Sequence, residues 1–249
     1  MTDIFVFGSN EAGRHGKGAA KYALDNHGAI YGQGVGLQGQ SYAIPTKDKR
    51  LRVLTIEDIG YYVSHFLDFA RAHREHTFNI TKIGCGLAGY PEEIIKPMFR
   101  YAPRNCKLPS GWVQKDIRYR ILVAGSRSIK FEDKVFELLD KENLPKHDSV
   151  LISGGAKGID TIGERWAERE GIEIDVFKAP WDILDVPHSI IKTNKFNMEY
   201  NVRAGYIRNV WMGVCCSIAI VLIRNNSKGS RHMIKYLNRL KKKVKVIEL

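Results

Sequence analysis

The sequence predicts an α/β protein of two domains in series, the second a doubly wound parallel sheet. The first observation behind this is that apolar runs at 4–7, 121–124 and 150–152 each break into a glycine-bearing loop. These loops are Gly8-Ser9-Asn10, Gly125-Ser126-Arg127 and Ser153-Gly154-Gly155-Ala156-Lys157-Gly158-Ile159-Asp160. The second is that the last loop opens a helical pattern at Ile162, Trp166 and Ala167. A buried strand, a glycine loop and a helix start, in that order, can hold phosphate. Glycine lets the backbone approach an anion, and the helix start aims free N–H groups at it. The third is a loss of periodicity over 103–116, around Pro103, Pro109, Ser110 and Gly111, before a strongly apolar run restarts. That break divides the chain into 1–112 and 118–249.

Composition limits what such a chain can do. At 249 residues and 44% hydrophobic content, it can fill two cores of ordinary size. No apolar run approaches the ~20 residues of a membrane span. The N-terminus enters a strand at once, with no basic stretch before an apolar segment, so no secretory signal is read. Cys85, Cys106, Cys215 and Cys216 show no zinc-type spacing and read as reduced core thiols of a cytoplasmic protein. His15, His27, His65, His73 and His76 show no ligand spacing either, so no metal is expected. Net charge is +12, and it leans to the C-terminal half: residues 1–116 carry 15 Lys and Arg against 11 Asp and Glu, residues 117–249 carry 24 against 16. Such an excess suits an anionic partner, a phosphorylated small molecule or nucleic acid. The run Lys241-Lys242-Lys243 reads as a solvated connection after a helix.

In the first half, residues 3–7 read as a buried strand, and 13–20 lead into a helix running through Leu24. Gly28, Gly32, Gly34, Gly36 and Gly39 predict long, shaped loops. Residues 42–45 read as a short strand. Ile59, Tyr62, Val63, Phe66, Leu67 and Ala70 recur on one face, predicting a helix over 56–73. Residues 78–83 read as a strand, and a helix restarts at Glu92 after Pro91. Two glycine loops at strand ends can wrap one ligand between them. The candidate contacts are Gly8, Ser9 and Asn10 in one loop, and Gly84, Cys85, Gly86, Leu87, Ala88, Gly89 and Tyr90 in the other. Lys47 and Asp48, an adjacent base and acid, join Asn10 as candidate catalytic residues.

In the second half, strands at 119–124, 149–153, 173–178, 218–223 and 244–247 alternate with helices at 131–142, 158–171, around 200–215 and 230–240. Alternation of this kind predicts a parallel sheet covered on both faces. Right-handed crossovers then place the loops after the strands on one rim. Gly125-Ser126-Arg127, Ser153 to Asp160 and 225–230 meet there. Arg127 can pair with phosphate through two hydrogen bonds. Ser126, Ser153 and Ser230 offer hydroxyls, and Gly154, Gly155, Gly158 and Gly229 permit backbone approach, with Ala156 and Lys157 in the same loop. Asp160 either caps its helix or accepts from a ribose. Arg208 and Asn209 share a helical segment with Trp211; Trp211 reads as core, and Arg208 as either a rim contact or a surface charge.

Over about residues 1–112, the run Phe7-Gly8-Ser9-Asn10 with Gly13, Gly16 and Ala19, and the later Ile83 to Pro91 run, resemble a phage-type non-structural domain related to macrodomains. The resemblance implies binding of ADP-ribose or a related nucleotide, with Asn10 pointing inward near the distal ribose and the Gly84 to Tyr90 loop around the diphosphate. Over about residues 118–249 the chain is similar to the SLOG superfamily, within it the YspA-like group. The motifs are Ala124 to Arg127, Ser153 to Asp160, Trp166-Ala167, Ala179-Pro180-Trp181, Ala204-Gly205 with Arg208-Asn209, and Gly229-Ser230. The Ser153 to Asp160 string is also similar to the DprA proteins of DNA uptake. The SLOG resemblance implies a Rossmann-like domain that binds nucleotides or nucleotide-derived signals. Phosphoribohydrolases of that superfamily carry a glutamate after a Gly-Gly-x-Gly-Thr loop. Here Arg231-His232-Met233-Ile234-Lys235 follows the corresponding loop, which disfavours that activity.

Together these readings predict a binder of ADP-ribose-type or cyclic nucleotide signals, phage-encoded, acting in the host cytoplasm to sequester an immune signal. Its partner is a phosphorylated small molecule; no cofactor beyond that nucleotide-derived ligand and no membrane are expected, and the resemblance admits a homo-oligomer. One alternative is a hydrolase of an ADP-ribosyl or N-glycosidic bond, with Asn10 or Lys47 and Asp48 positioning water. The other is a single-stranded nucleic-acid binder, ranked last because aromatic residues are not interleaved with basic ones.

Overall fold

The structure is a computed structural model and describes residues 2–225 and 227–249. The chain forms two compact units. One comprises the residues through Asp116 together with Ile183–Tyr200, the other Ile117–Asp182 with Asn201–Leu249.

The first unit is built on β1 (Thr2–Asn10), β2 (Gly36–Gln38), β3 (Ser41–Lys47), β4 (His76–Ile80) and β5 (Cys106–Lys107). Their order is β2-β3-β1-β4-β5, parallel throughout except for the edge strand β2. Central β1 buries Val6 and Phe7 on opposite faces, as a strand covered on both sides requires. Helix α1 (Gly18–Asn26) lays Ala20 and Ala23 against Phe7 and Ala43. Helix α2 (Ile56–Ala72) starts at Thr55, whose hydroxyl accepts the Asp58 N–H at 3.3 Å. Its apolar face, Ile59, Val63, Phe66, Leu67 and Ala70, is buried as the spacing predicts.

Three features of this unit depart from the sequence reading. Strand β4 ends at Ile80, because the Thr81 hydroxyl turns to donate to the Val6 carbonyl at 2.9 Å. The helix at Glu92 lasts one α turn, α3 (Glu92–Ile95), and tightens into a 3-10 turn (Lys96–Phe99), since Pro97 has no N–H to continue the ladder. The stretch 103–116 is part of the first unit rather than a bare linker. It supplies β5, and Trp112 packs on Phe99 at 5.3 Å while its Nε1 donates to Glu92 at 3.1 Å.

The second unit begins β6 (Tyr119–Gly125), α4 (Glu132–Asp140), β7 (Ser149–Ser153), α5 (Ile159–Arg169), β8 (Glu173–Val176). Next in the chain, β9 (Ile191–Thr193) and β10 (Glu199–Asn201) pair as a separate ribbon. Strand therefore stands where the helix was expected to start, and Ile183–Tyr200 groups with the first unit, not with 118–249. The second unit resumes with α6 (Ala204–Cys215), β11 (Ile218–Ile223), α7 (Lys228–Arg239) and β12 (Lys243–Glu248).

Its five strands are all parallel in the order β12-β11-β6-β7-β8. Ile121, Val123, Leu151, Ile220 and Leu222 face the layer of α4 and α5, packing on Val135, Leu139, Ile162 and Trp166. Alternate residues face the other way, toward α6 and α7. Each fully buried aliphatic side chain of β11 contributes roughly 1.5–3 kcal/mol. The chain winds outward from β6 to β8, returns, and winds outward again from β11 to β12. The fold is thus Rossmann-like and doubly wound, with its switch point between β6 and β11. Loops leaving those two strands diverge and open a crevice at their carboxyl ends.

Candidate functional site

A cavity of about 580 Å³ occupies that crevice. The loop after β6 gives it Gly125, Ser126 and Arg127; the loop and first turn after β11 give it Arg224, Asn225, Ser227, Gly229 and Ser230. Asn226, in the predicted rim loop, lies outside the described residues. Helix α6 lays Tyr206, Arg208, Asn209 and Met212 along one wall, and Trp181 stands on the rim, 44% exposed.

Backbone contacts hold the two strand ends together. The Ser126 N–H donates to the Leu222 carbonyl at 3.0 Å. The Ser126 hydroxyl accepts from the Arg224 N–H at 2.9 Å and donates to the Arg224 carbonyl at 3.2 Å. This hydroxyl is therefore committed to the scaffold, not offered to a ligand as the sequence suggested. Gly125 is fixed by the same closeness: a Cβ there would sit 2.1 Å from the Leu222 carbonyl oxygen and 2.8 Å from Ile159. The Arg224 guanidinium lies over the Phe131 ring at 5.5 Å, which directs an otherwise exposed cation.

The charge of the cavity wall comes from Arg127, Arg208 and Arg224 against the single carboxylate of Asp160. Asp160 is 5% exposed and accepts the Ala156 N–H at 3.3 Å. Burial pushes its carboxyl up to about 6, against the opposing pull of Arg208 and of backbone hydrogen bonds from Ala156 and Gly125. Arg208 donates through Nη1 to the Gly154 carbonyl at 2.7 Å, while its buried Nε has no hydrogen-bond partner. Burial lowers the Arg208 pKa, with Asp160 opposing and Arg127 adding to the shift. Asn209 anchors the start of α7 by donating to the Gly229 carbonyl at 3.2 Å. Ser227 and Ser230 hydroxyls meet at 2.9 Å at the same helix end, where a macrodipole favours anions.

The Ser153 to Gly158 loop plays a different part from the predicted phosphate cradle. Of Ser153 to Asp160, only Ala156 and Asp160 line the cavity. Ser153 is fully buried; its hydroxyl donates to Glu164 and accepts the Gly155 N–H at 3.1 Å. Lys157 is exposed. At Gly154 a Cβ would lie 2.8 Å from both Arg208 and Asp160, and at Gly158 (φ 84°) 2.6 Å from the Ser126 carbonyl oxygen. Gly155 (φ 63°) abuts Val176 in the same way. These glycines let the loop pack, because β7 lies to one side of the switch point.

Trp181, Tyr206, Met212, Arg224 and Ser227 also line the cavity; in the sequence only the Ala179-Pro180-Trp181 motif and the 225–230 loop mark any of them. A second hollow, between α4 and α5, has its charges matched internally: Asp140 with Arg169, and Lys146 with Glu170.

In the first unit the two predicted loops do meet. A Cβ on Gly8 would lie 3.6 Å from the Gly84 nitrogen, and one on Gly18 3.9 Å from Leu87. The candidate polar groups are spent locally, however. The Asn10 amide donates to the Arg14 carbonyl at 2.8 Å and accepts the Arg14 N–H at 3.0 Å, closing a turn. The Ser9 hydroxyl meets His15 Nε2 at 3.1 Å. Asp48 accepts from the backbone of Arg50 and Arg52 and from the Arg52 side chain at 2.7–2.9 Å. Desolvation raises the Asp48 pKa, but these bonds and the Arg52 charge together outweigh it and hold the carboxyl low. Lys47 ends β3 and bridges to Val53. Burial, then the charge of Glu92, pushes the Cys85 thiol up to about 11, so it is no activated nucleophile. In the second loop Leu87 is 67% exposed, Ala88 is buried, Gly86 faces open space and Gly89 turns with φ 74°. Tyr90 is buried and its hydroxyl donates to the Leu54 carbonyl at 2.7 Å.

Among the described residues no helix is long and apolar enough to cross a membrane. All four cysteines are thiols.

Fold and site define a Rossmann-like doubly wound α/β unit with a cationic crevice at its switch point. Within that class, residues 119–183 match the model of the YspA, cpYpsA-related SLOG family. The chain is also 29% identical over 125 residues to the Gene 61 protein of Mycobacterium phage D29, covering 47% of this chain and 86% of that protein. The X-ray structure of DNA processing protein A (DprA) from Streptococcus pneumoniae aligns at 19% identity with a TM-score of 0.38, over 52% of this chain and half of that one.

Proposed function

We propose that this protein binds a nucleotide-derived molecule, of the ADP-ribose or cyclic nucleotide type, in the crevice between β6 and β11. Its role is to sequester that signal for a phage against host immunity. The observation that carries the binding reading is the convergence of Arg127, Arg208 and Arg224 on one cavity beside the start of α7. Trp181 and Tyr206 add aromatic surface suited to a base. The family match at 119–183 and the similarity to a mycobacteriophage protein support the class of ligand and the phage setting. In the first unit, the close approach of the Gly8 and Gly84 loops supports a second, ADP-ribose-type site.

A second reading, hydrolysis of an N-glycosidic or ADP-ribosyl bond, draws on Asp160. A buried carboxyl held up to about 6 can exchange a proton near neutral pH. One experiment separates the two. The protein is incubated with ADP-ribose, cyclic ADP-ribose isomers, NAD and cyclic dinucleotides, then filtered, and the filtrates are weighed by mass spectrometry before and after heat denaturation. Sequestration removes a ligand and returns it intact on heating; hydrolysis returns fragments. A panel recovered whole in the first filtrate refutes both.

A further inference from the structure

The floor of the crevice pairs a cation and an anion in a way that phosphate alone does not explain. The point where a Cβ would stand on Gly154 lies 2.8 Å from Arg208 Cζ and 2.8 Å from Asp160 Oδ2. Arg208 has only part of its hydrogen-bonding capacity in use, since Nη1 serves the Gly154 carbonyl and the buried Nε serves nothing. A buried, unmatched donor costs about 1–3 kcal/mol, more when charged, and the free protein carries that cost. Asp160 accepts from the Ala156 N–H at 3.3 Å and from the Gly125 backbone, and a carboxylate, with about four acceptor sites, keeps capacity beyond those two. As a carboxylate, Asp160 repels a phosphate. It can serve a hydroxyl, which donates.

We infer that the crevice selects ribose phosphates with a free hydroxyl, the phosphate taken by Arg208 with Arg127 and the hydroxyl donated to Asp160. This rests on the proposed binding of a nucleotide-derived ligand and adds the requirement for ribose over deoxyribose. A site built to accept a hydroxyl rejects the analogue lacking it, because the acceptor is left buried and unmatched. The arginines alone would bind both sugars equally.

The test is calorimetric titration of the full-length protein with ADP, 2′-deoxy-ADP and 3′-deoxy-ADP. The expected result is that ADP binds and that one deoxy analogue binds at least tenfold more weakly. Asp160→Ala, which removes the acceptor, is expected to reduce that discrimination below threefold. Equal affinities for all three nucleotides in the unaltered protein overturn the inference and leave the binding reading standing. Absence of binding by all three at millimolar concentration removes the binding reading for this ligand class, and the inference with it. Because the comparison among ligands uses the unaltered protein, it decides the matter even if the variant fails to fold.

Discussion

Asp160 is where burial, charge and stability meet at the scale of a single residue. The folded protein keeps its proton up to about pH 6, whereas an unfolded chain releases it near 3.8. The folded state therefore binds more protons between those values. The associated stability is fully present below about pH 4 and is lost as pH rises through about 6. Asp160→Asn removes that loss and should flatten the decline by roughly 2 kcal/mol. Urea denaturation of both proteins at pH 4.5 and 7.5 measures the difference, and parallel pH dependences would contradict it. The place of Arg127 on the cavity wall is legible because it follows a strand-ending Gly-Ser. That of Arg224 is not, since nothing in its local sequence marks the Phe131 ring that orients it. Asn10 and Asp48 had the chemistry for a role in the site, but both sit where a nearby backbone amide claims them first.

Among the elements, the strands and helices of the second unit followed from alternating apolar and amphipathic runs, and only their ends moved. Strand order is a different matter. Two loops of similar composition, after β6 and after β7, have different fates because only β6 borders the switch point. Glycine that admits a ligand and glycine that admits another part of the chain look alike in sequence; Gly154 and Gly158 are of the second kind. Substitution separates the two kinds. Gly125→Ala forces a Cβ onto the Leu222 carbonyl and should cost roughly 3 kcal/mol. Gly229→Ala meets nothing within 4 Å, lies in α7 and should leave stability unchanged or raise it by up to about 0.5 kcal/mol. Thermal melts of the two variants give the comparison; similar losses in both would refute the packing account of Gly125.

For the whole molecule, the excess of 12 positive charges invites nonspecific association with nucleic acid, and salt distinguishes that from binding in the crevice. Raising salt from 0.05 to 0.5 M should reduce oligonucleotide association by a factor of about 10³ or more. Binding of a nucleotide among three arginines, partly shielded from solvent, should fall by less than about tenfold. Fluorescence anisotropy with a labelled oligonucleotide and with a labelled nucleotide measures both; equal salt slopes would favour a nucleic-acid binder. At this scale the chain divides into two units, and no local sequence feature marks that Ile183–Tyr200 groups with the first. A return of the chain across a break in periodicity leaves no local signal.

The most direct measurement is calorimetric titration of ADP-ribose, cyclic ADP-ribose isomers, NAD and cyclic dinucleotides into the unaltered protein and into an Arg127→Ala, Arg224→Ala double variant that retains its fold by circular dichroism. The crevice account predicts micromolar or tighter binding of at least one of them, weakened at least a hundredfold in the variant. Binding of equal strength in both proteins, or none in either, would contradict it.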